Sequence, residues 1–126
     1  MNPSTARLLE LGRVAFNEGR YFEAHELWEE AWLAEKGETR RLLQGLIQIA
    51  AGYYKAFGQK QPNGCARLLE AGLSKLNGAM SPLLALAPFV KAVRDGLKEA
   101  RRWERGVVEG LDAAAAPRLH RRVKLA

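Results

Sequence analysis

Leucine and alanine recur at helical spacing in five segments of this chain, and glycine or proline separates each segment from the next. Only two isoleucines and two threonines are present, although β-strands favour β-branched side chains. Leucine, alanine, glutamate and arginine, which are abundant here, are good helix formers. The sequence therefore predicts an all-α fold, a compact bundle of about five helices in which short connections place successive helices antiparallel.

Capping residues and helix breakers predict where each helix begins and ends. The five helices are expected from Asn2-Pro3-Ser4 to Gly19, from about Tyr21 to Glu35, from Thr39 to Gly58, from the end of the polar loop 59–63 to Leu76, and from about Pro88 to Arg105. Residues 106–126 are expected to form a loop and a basic tail, with a short alanine-rich turn. Residues 1–126 would then be a single domain whose core is 1–105.

The charge of the chain is positive and unevenly distributed. Twenty Lys and Arg oppose 14 Asp and Glu, which gives +6 at pH 7. Residues 1–38 contain eight Glu and four basic residues, a net charge of −4, whereas residues 39–126 contain sixteen basic and six acidic residues, a net charge of +10. Such asymmetry indicates either complementarity within the molecule or association with a protein partner, including a second copy of the chain.

The sequence also argues against several classes of protein. Cys65 is the only cysteine, so neither an internal disulfide nor a cysteine-based metal site can form within one chain. The uncharged stretches 42–54 and 76–90 are too short to span a bilayer. Charged residues interrupt the N-terminus where a signal peptide would need an apolar run. We therefore expect a cytoplasmic protein without membrane association.

The second predicted helix carries the residue pattern that most suggests chemistry. His25 and Glu29 are four residues apart and share one face, and Trp32 continues the same stripe. Glu26 and Glu30 form a parallel row of carboxylates. An imidazole and carboxylates at this spacing can bind a divalent metal or transfer a proton. We predict His25 and Glu29 as metal ligands, with Glu30 as a second carboxylate.

A structural interpretation of the same motif stays open. The order His25-Glu26-x-x-Glu29 is similar to the H-E-x-x-H helix of zinc proteases, but glutamate replaces the second histidine. Since the only other histidine is His120, a four-ligand site would need Gln, Tyr, water or a neighbouring subunit. Alternatively, His25 lies in a polar seam, hydrogen-bonded to Glu29 and to the third helix.

The third predicted helix supplies further candidate residues, among them two glutamines four residues apart. The predicted pocket comprises His25, Glu29, Glu30, Trp32, Gln44, Gln48, Tyr54 and Lys55. In this pocket Gln48 would hydrogen-bond a substrate or His25, and Trp32 and Tyr54 would form the walls. Gly45 and Gly52, seven residues apart on this helix, indicate close approach of another helix or of a ligand, because glycine in a helix interior is unfavourable.

The motif residues also carry a resemblance to a known family. The string H-x-x-x-E-E-x-W, which defines a prokaryotic family of unknown function, is matched completely by His25, Glu29, Glu30 and Trp32. Segments 16–25, 44–55 and 68–72 also resemble that family, and the likeness covers about residues 6–77. The resemblance implies a compact helical domain and a metal-binding role for the motif, but no particular reaction.

The first two predicted helices resemble a tetratricopeptide hairpin. The shared packing residues are Leu8, Leu11, Gly12, Phe16, Gly19, Tyr21, Ala24, Trp28 and Ala31. The resemblance implies that Ala24, Trp28 and Ala31 pack against the first helix, while the motif residues face the third. Because no second repeat follows, the likeness describes the geometry of one hairpin rather than a peptide-binding array.

The C-terminal part is basic without the pattern of a nucleic-acid reader. Its charged residues are Arg118, His120, Arg121, Arg122 and Lys124. Phosphate binding needs such charges, but no aromatic residues are interleaved with them and Trp103 is the only candidate for stacking. The pattern therefore does not favour nucleic-acid binding. Leu119 and Val123 could instead dock the tail onto the bundle or onto a neighbour.

Three functions stay open from the sequence. The first is a pocket around His25 and Glu29 that binds a metal or a small ligand, with a divalent metal as the only cofactor suggested. The second is a helical protein–protein interaction module in which the motif is structural. The third is weak nucleic-acid binding through the basic end. The motif favours a role in binding over catalysis; metal-dependent hydrolysis is the reaction it would support.

Overall fold

The computed structural model describes residues 1–123, and within them it contains five α-helices and no β-strand. The helices are α1 (Pro3–Asn17), α2 (Tyr21–Leu33), α3 (Gly37–Tyr53), α4 (Pro62–Leu76) and α5 (Leu86–Glu104). A π-helical turn at Tyr54–Gly58 extends α3, and a 3-10 turn occupies Ala113–Ala115. The helices form a compact bundle, so the predicted all-α fold of about five helices is confirmed.

The helix starts differ from the sequence prediction by a few residues. The side chain of Asn2 caps α1 by accepting a hydrogen bond from the Thr5 backbone N–H at 2.7 Å. Helix α4 begins at Pro62, inside the segment predicted as a loop, and α5 begins two residues before Pro88. Proline fits the first turn of a helix because the N–H groups there have no intrahelical partner. Pro62 was expected in the loop before α4 and Pro88 at the start of α5, but both lie in the first turn of their helices.

Helices α1 and α2 pack closely through one tryptophan. Trp28 is fully buried, and its indole N–H donates a hydrogen bond to the Leu9 carbonyl oxygen at 3.1 Å. A Cβ at Gly12 would overlap the Trp28 ring, so this position admits only glycine without a shift of the indole. The hairpin thus packs around Trp28; its likeness to a tetratricopeptide hairpin stays a prediction.

An aromatic cluster joins α1, α2, α3 and α5 in the core. Phe16 lies at its centre, with ring centroids 5.0 Å from Tyr21, 5.8 Å from Trp28, 6.0 Å from Tyr53 and 5.5 Å from Phe89. Three of these four contacts are edge-to-face, a favoured geometry for aromatic pairs. The residues come from four helices, so the cluster holds the bundle together.

Helices α3 and α4 approach at three glycines. A Cβ at Gly45 would lie 3.1 Å from the Gly72 carbonyl oxygen, and one at Gly72 would lie 2.8 Å from the Gly45 carbonyl oxygen. At Gly52 a Cβ would lie 3.3 Å from the Cys65 carbonyl oxygen. The glycines of α3 therefore admit another helix, and that helix is α4 rather than α2.

The segment after α5 returns to the bundle. Leu119 is fully buried, and its backbone N–H and carbonyl group both bond to the side-chain amide of Asn17 at 2.8 Å. Arg121 forms an antiparallel bridge with Leu84. Val123 is 80% exposed, and Lys124 lies outside the described residues. Part of the sequence assigned to the tail thus packs against the core of 1–105.

No helix in residues 1–123 combines the length and the apolar composition that crossing a bilayer requires.

Candidate functional site

A histidine and two glutamates of α2 form a cluster, which we call the α2 triad: His25, Glu26 and Glu29. The Nδ1 atom of His25 lies 3.3 Å from Glu26 Oε1 and 3.6 Å from Glu29 Oε2. One donor atom from each residue can be chosen so that all lie within 4.8 Å of one another. Within residues 1–123 no other group of three His, Cys, Asp or Glu side chains has this spacing. The triad therefore offers one nitrogen and two carboxylate oxygens at a single point.

The helix places the triad at the border between core and solvent. Ala24, Trp28 and Ala31 are fully buried and fix the inward face of α2. His25 follows Ala24 by one residue, which turns its side chain to the edge of that face. The His25 side chain is 27% exposed, and those of Glu26 and Glu29 are 57% and 49% exposed. The donor groups are consequently accessible to a dissolved ion without any opening of the fold.

The two distances from His25 Nδ1 to the glutamate oxygens are compatible with a shared metal ion. Metal–donor bonds of about 2.0–2.2 Å in a tetrahedral arrangement place the donor atoms about 3.3–3.6 Å apart. The two distances from His25 Nδ1 fall in that range before any adjustment of the flexible glutamates. Neutral imidazole and ionised carboxylate are also ordinary metal ligands. The same distances suit a histidine hydrogen-bonded to glutamate, so geometry alone is compatible with both interpretations.

Two aromatic rings border the triad. The Phe22 ring stacks beside the His25 ring with centroids 6.2 Å apart, and it lies 5.4 Å from the Tyr54 ring. Phe22 is exposed although it is a large apolar residue. Phe22 and Tyr54 also line a cavity of about 420 Å³. Phe22, which the sequence did not single out, thus contacts both His25 and Tyr54, and the role of Tyr54 as a wall of the site stays a prediction.

The predicted residue Trp32 is held by α3 through a cation–π contact. The guanidinium carbon of Arg40 lies 3.8 Å from the centroid of the Trp32 ring. The indole N–H of Trp32 is buried and has no hydrogen-bond partner among the described residues. The same is true of the side-chain carbonyl oxygen of Gln48 on α3. An unpaired buried polar atom costs about 1–3 kcal/mol, so each of these two atoms has unused hydrogen-bonding capacity.

The remaining predicted pocket residues lie apart from the triad. Glu30 is exposed and outside the three-residue group, and Gln44 is half-buried on α3. The methylene chain of Lys55 runs beside Gly64 of α4, where a Cβ would lie 3.2 Å from Lys55 Cδ. Glu26, in contrast, joins the site although the sequence placed it in a separate row. Its adjacency to His25 is the signal, because neighbouring side chains at the edge of a helix face can converge on one point.

Within residues 1–123, both polar contacts of the His25 ring are with carboxylates of its own helix, and none is with α3. The seam described in the structural interpretation would need a bond from His25 to the third helix. The triad is therefore a unit of α2 alone, and its donors do not depend on the packing of α3 for their position.

Basic groups of the C-terminal segment contact the rest of the molecule. Arg121 Nε donates to Glu10 Oε1 at 2.9 Å, and Arg122 Nη1 donates to the Ser81 carbonyl oxygen at 3.1 Å. Arg118 Nη1 donates to the Asn17 carbonyl oxygen at 3.4 Å. These contacts tie the basic side chains to α1 and to the loop before α5.

Comparison with known proteins identifies the family. A family model described as a domain of unknown function (DUF309) matches residues 9–68, which include the triad. The crystal structure of a conserved hypothetical protein from Thermus thermophilus, TTHA0068, is similar with a TM-score of 0.53. It is 35% identical, and the match covers 81% of this chain and 96% of that one. No curated protein matches the chain. The identity over nearly the whole length of that relative shows that this chain belongs to the family of the DUF309 domain.

Proposed function

We propose that the α2 triad binds a divalent metal ion and that this binding is the function of this face of the molecule. The observation that carries the proposal is the convergence of three donors on one point, with His25 Nδ1 at 3.3 and 3.6 Å from the two carboxylates. The partial exposure of all three side chains supports entry of the ion from solvent.

The donor set favours a first-row transition metal over calcium or magnesium. One imidazole nitrogen and two carboxylate oxygens suit Zn²⁺, Mn²⁺ or Fe²⁺, whereas Mg²⁺ and Ca²⁺ prefer oxygen ligands alone. Three protein ligands leave coordination positions for water or substrate, which is typical of catalytic rather than structural zinc sites. A water molecule in such a position would be activated for hydrolysis. The reaction class that fits the triad, if it is catalytic, is therefore metal-assisted hydrolysis.

The structural interpretation of the triad predicts a different result. If the contacts of His25 served only stability, their loss would lower the free energy of unfolding and leave metal binding unchanged. Ion pairs between side chains as exposed as these typically contribute about 0–1 kcal/mol. A purely structural triad would thus contribute little to stability, and its variants would unfold at nearly the same temperature as the wild type.

Titration calorimetry of the tag-free protein with Zn²⁺ tests the proposal. We expect about one site per chain. His25→Ala and Glu29→Gln should each weaken the binding by about 10–100-fold or more, since loss of even an outer-shell partner costs that much. Glu30→Gln is the matched control, because it removes an exposed carboxylate from the same helix outside the triad.

Thermal unfolding of each variant shows whether a loss of binding follows from a loss of the fold. The proposal would be overturned if the wild type took up no stoichiometric metal, or if the His25→Ala variant bound Zn²⁺ as tightly as the wild type. Equal loss in the Glu30→Gln control would also contradict it, because that result would place the ligand set elsewhere.

A further inference from the structure

A second cavity, of about 380 Å³, lies between the end of α3, the middle of α5 and the segment that contains the 3-10 turn. Its volume is within the range of small-molecule sites, roughly 300–1,000 Å³. The rings of Tyr53 and Phe57 line it from α3 and the π-helical turn, with their centroids 6.1 Å apart and nearly parallel. Phe57 is the more accessible of these two rings, because Tyr53 is almost fully buried, and the cavity includes no residue of the α2 triad.

The wall of this cavity contains Tyr53, whose hydroxyl group is buried and unpaired among residues 1–123. Tyr53 is only 1% exposed, and its hydroxyl has no hydrogen-bond partner among the described residues. Burial raises the pKa of Tyr53, so the group remains a neutral phenol. Phenylalanine would fill the same space without leaving a buried polar atom unpaired. The hydroxyl therefore suggests a hydrogen-bond partner from outside the described part of the chain.

Helix α5 is shaped to admit this hydroxyl. A Cβ at Gly96 would overlap the Tyr53 hydroxyl oxygen, so only glycine leaves room for it. Glycine in a helix interior is unfavourable relative to alanine. Gly96 also lines the cavity. The unpaired hydroxyl and the glycine beside it are each unfavourable for stability, and both lie at the same wall of the cavity. A ligand that forms a hydrogen bond with the hydroxyl would account for both residues.

The charged groups that line the cavity are all acidic. They are Asp95 and Glu99 of α5 and Asp112 before the 3-10 turn, and no basic residue is among the lining residues. Lys91 and Arg102 approach Asp95 and Glu99 along the exposed side of α5, at 3.5 and 3.7 Å.

Such exposed pairs are weak and leave the carboxylates free to reorient. One oxygen of Asp112 accepts the Ala114 N–H at 2.9 Å, which fixes the carboxylate beside the cavity. Asp112 has no basic partner among the described ion pairs, so the three acidic lining residues face two basic neighbours.

We propose that this cavity binds a small organic cation that has an aromatic or otherwise apolar body and one ammonium group. The apolar body would lie on the ring of Phe57, whose face also attracts a cation. The carboxylates of Asp95, Glu99 and Asp112 would pair with the ammonium group, and the Tyr53 hydroxyl would hydrogen-bond to the ligand. The site is independent of metal binding at the α2 triad.

The proposal is tested with 2-phenylethylammonium as the probe, followed by amide chemical shifts of the full-length protein in an NMR titration. Saturable shifts are expected at Gly96, Asp112 and Ala115, which line the cavity. The neutral 2-phenylethanol and the anionic 3-phenylpropanoate have similar bodies. Each should bind about tenfold more weakly or not at all, because a close charge pair commonly contributes that much. Equal affinity for the three probes, or shifts scattered away from the cavity, would overturn the proposal.

Two matched pairs of variants separate binding from folding. Ala115 lines this cavity, whereas Ala114 of the same 3-10 turn lines a neighbouring one, and both are exposed. Ala115→Leu should therefore abolish the binding of 2-phenylethylammonium, and Ala114→Leu should leave it unchanged. Glu99→Gln should weaken binding, and the exposed Glu109→Gln should not. The opposite order in either pair would contradict the proposal.

Tyr53→Phe gives a readout that a purely structural tyrosine would not produce. Removal of an unpaired buried hydroxyl should raise or preserve the melting temperature of the protein. The same variant should bind 2-phenylethylammonium about fivefold more weakly, as expected for the loss of one hydrogen bond. Unchanged affinity in a variant of preserved stability would show that the hydroxyl has no role in binding.

Discussion

At the scale of single residues, the structure shows contacts of side chains that residue type alone does not predict. Trp28 was expected in the core as one of several hydrophobic residues, yet its indole N–H also reaches the Leu9 carbonyl oxygen. Glu26 completes the α2 triad because its Oε1 atom lies 3.3 Å from His25 Nδ1. The sequence indicated His25 and Glu29 through their spacing of four. It could not indicate Glu26 equally well, since residues one apart share a helix face only near its edge.

Gly12 allows a test of the contact between α1 and α2. A Cβ at this position would overlap the Trp28 ring, which is fully buried and cannot move away without disturbing the aromatic cluster. Overpacking of this kind costs about 1–3 kcal/mol, and the better helix propensity of alanine returns about 1 kcal/mol at most. We expect Gly12→Ala to lower the free energy of unfolding in urea. Gly110→Ala is the control, because nothing lies near its Cβ position and that variant should be close to neutral.

At the scale of helices, the sequence predicted the helical segments and the contacts between successive helices, but not which face of α3 meets which neighbour. Leucine and alanine periodicity located all five helices, because burial of one face is visible in the spacing of apolar residues. Gly45 and Gly52 correctly indicated a close approach to α3. Their spacing cannot name the partner, which the structure shows to be α4 through Gly72. Partner choice depends on the path of the connecting chain, and no residue pattern in α3 records that path.

The ion pairs of Glu10 link helix α1 to the C-terminal segment and make that link sensitive to pH. Hydrogen bonds from Arg13, and further ones from Arg121, lower the pKa of Glu10 from 4.5 to about 2. Because the folded pKa is below the unfolded one, the ionised carboxylate stabilises the fold above pH 4.5. This contribution is lost as the pH falls from about 4.5 to about 2.

Glu10→Gln removes this titration. The difference in unfolding free energy between wild type and variant should therefore be largest near neutral pH and should shrink as the pH falls toward 2. Urea unfolding at a series of pH values measures it, with Glu109→Gln as an exposed carboxylate control. A difference that stays constant across this range would show that Glu10 is not ionised preferentially in the folded state.

At the scale of the whole molecule, the uneven charge of the sequence is partly resolved by contacts within the chain. The acidic residues 1–38 and the basic remainder meet where Glu10 contacts Arg121 at 2.9 Å. Internal complementarity, one of the two explanations considered from the sequence, is thus seen in the described residues. The tail was harder to predict, because a basic segment with few apolar residues reads as solvated. Leu119, which the sequence offered as a docking residue, is buried and held by the amide of Asn17, and Arg118, Arg121 and Arg122 add contacts with the rest of the molecule.

The last prediction concerns whether the C-terminal segment folds together with the helices. Leu119 is fully buried among residues of the main core, so Leu119→Ala should lower the free energy of unfolding by about 2–5 kcal/mol. If the segment and the helices unfold together, the dependence on urea should keep a single transition of unchanged slope. Val123→Ala, a change at an 80% exposed position of the same segment, should stay within about 0.5 kcal/mol of wild type. A similarly small effect of Leu119→Ala would mean that the segment detaches before the bundle unfolds. In that case the docking of Leu119 would not hold in place the residues of the segment that line the proposed ammonium site, such as Asp112 and Ala115. The site would then have to form without that docking.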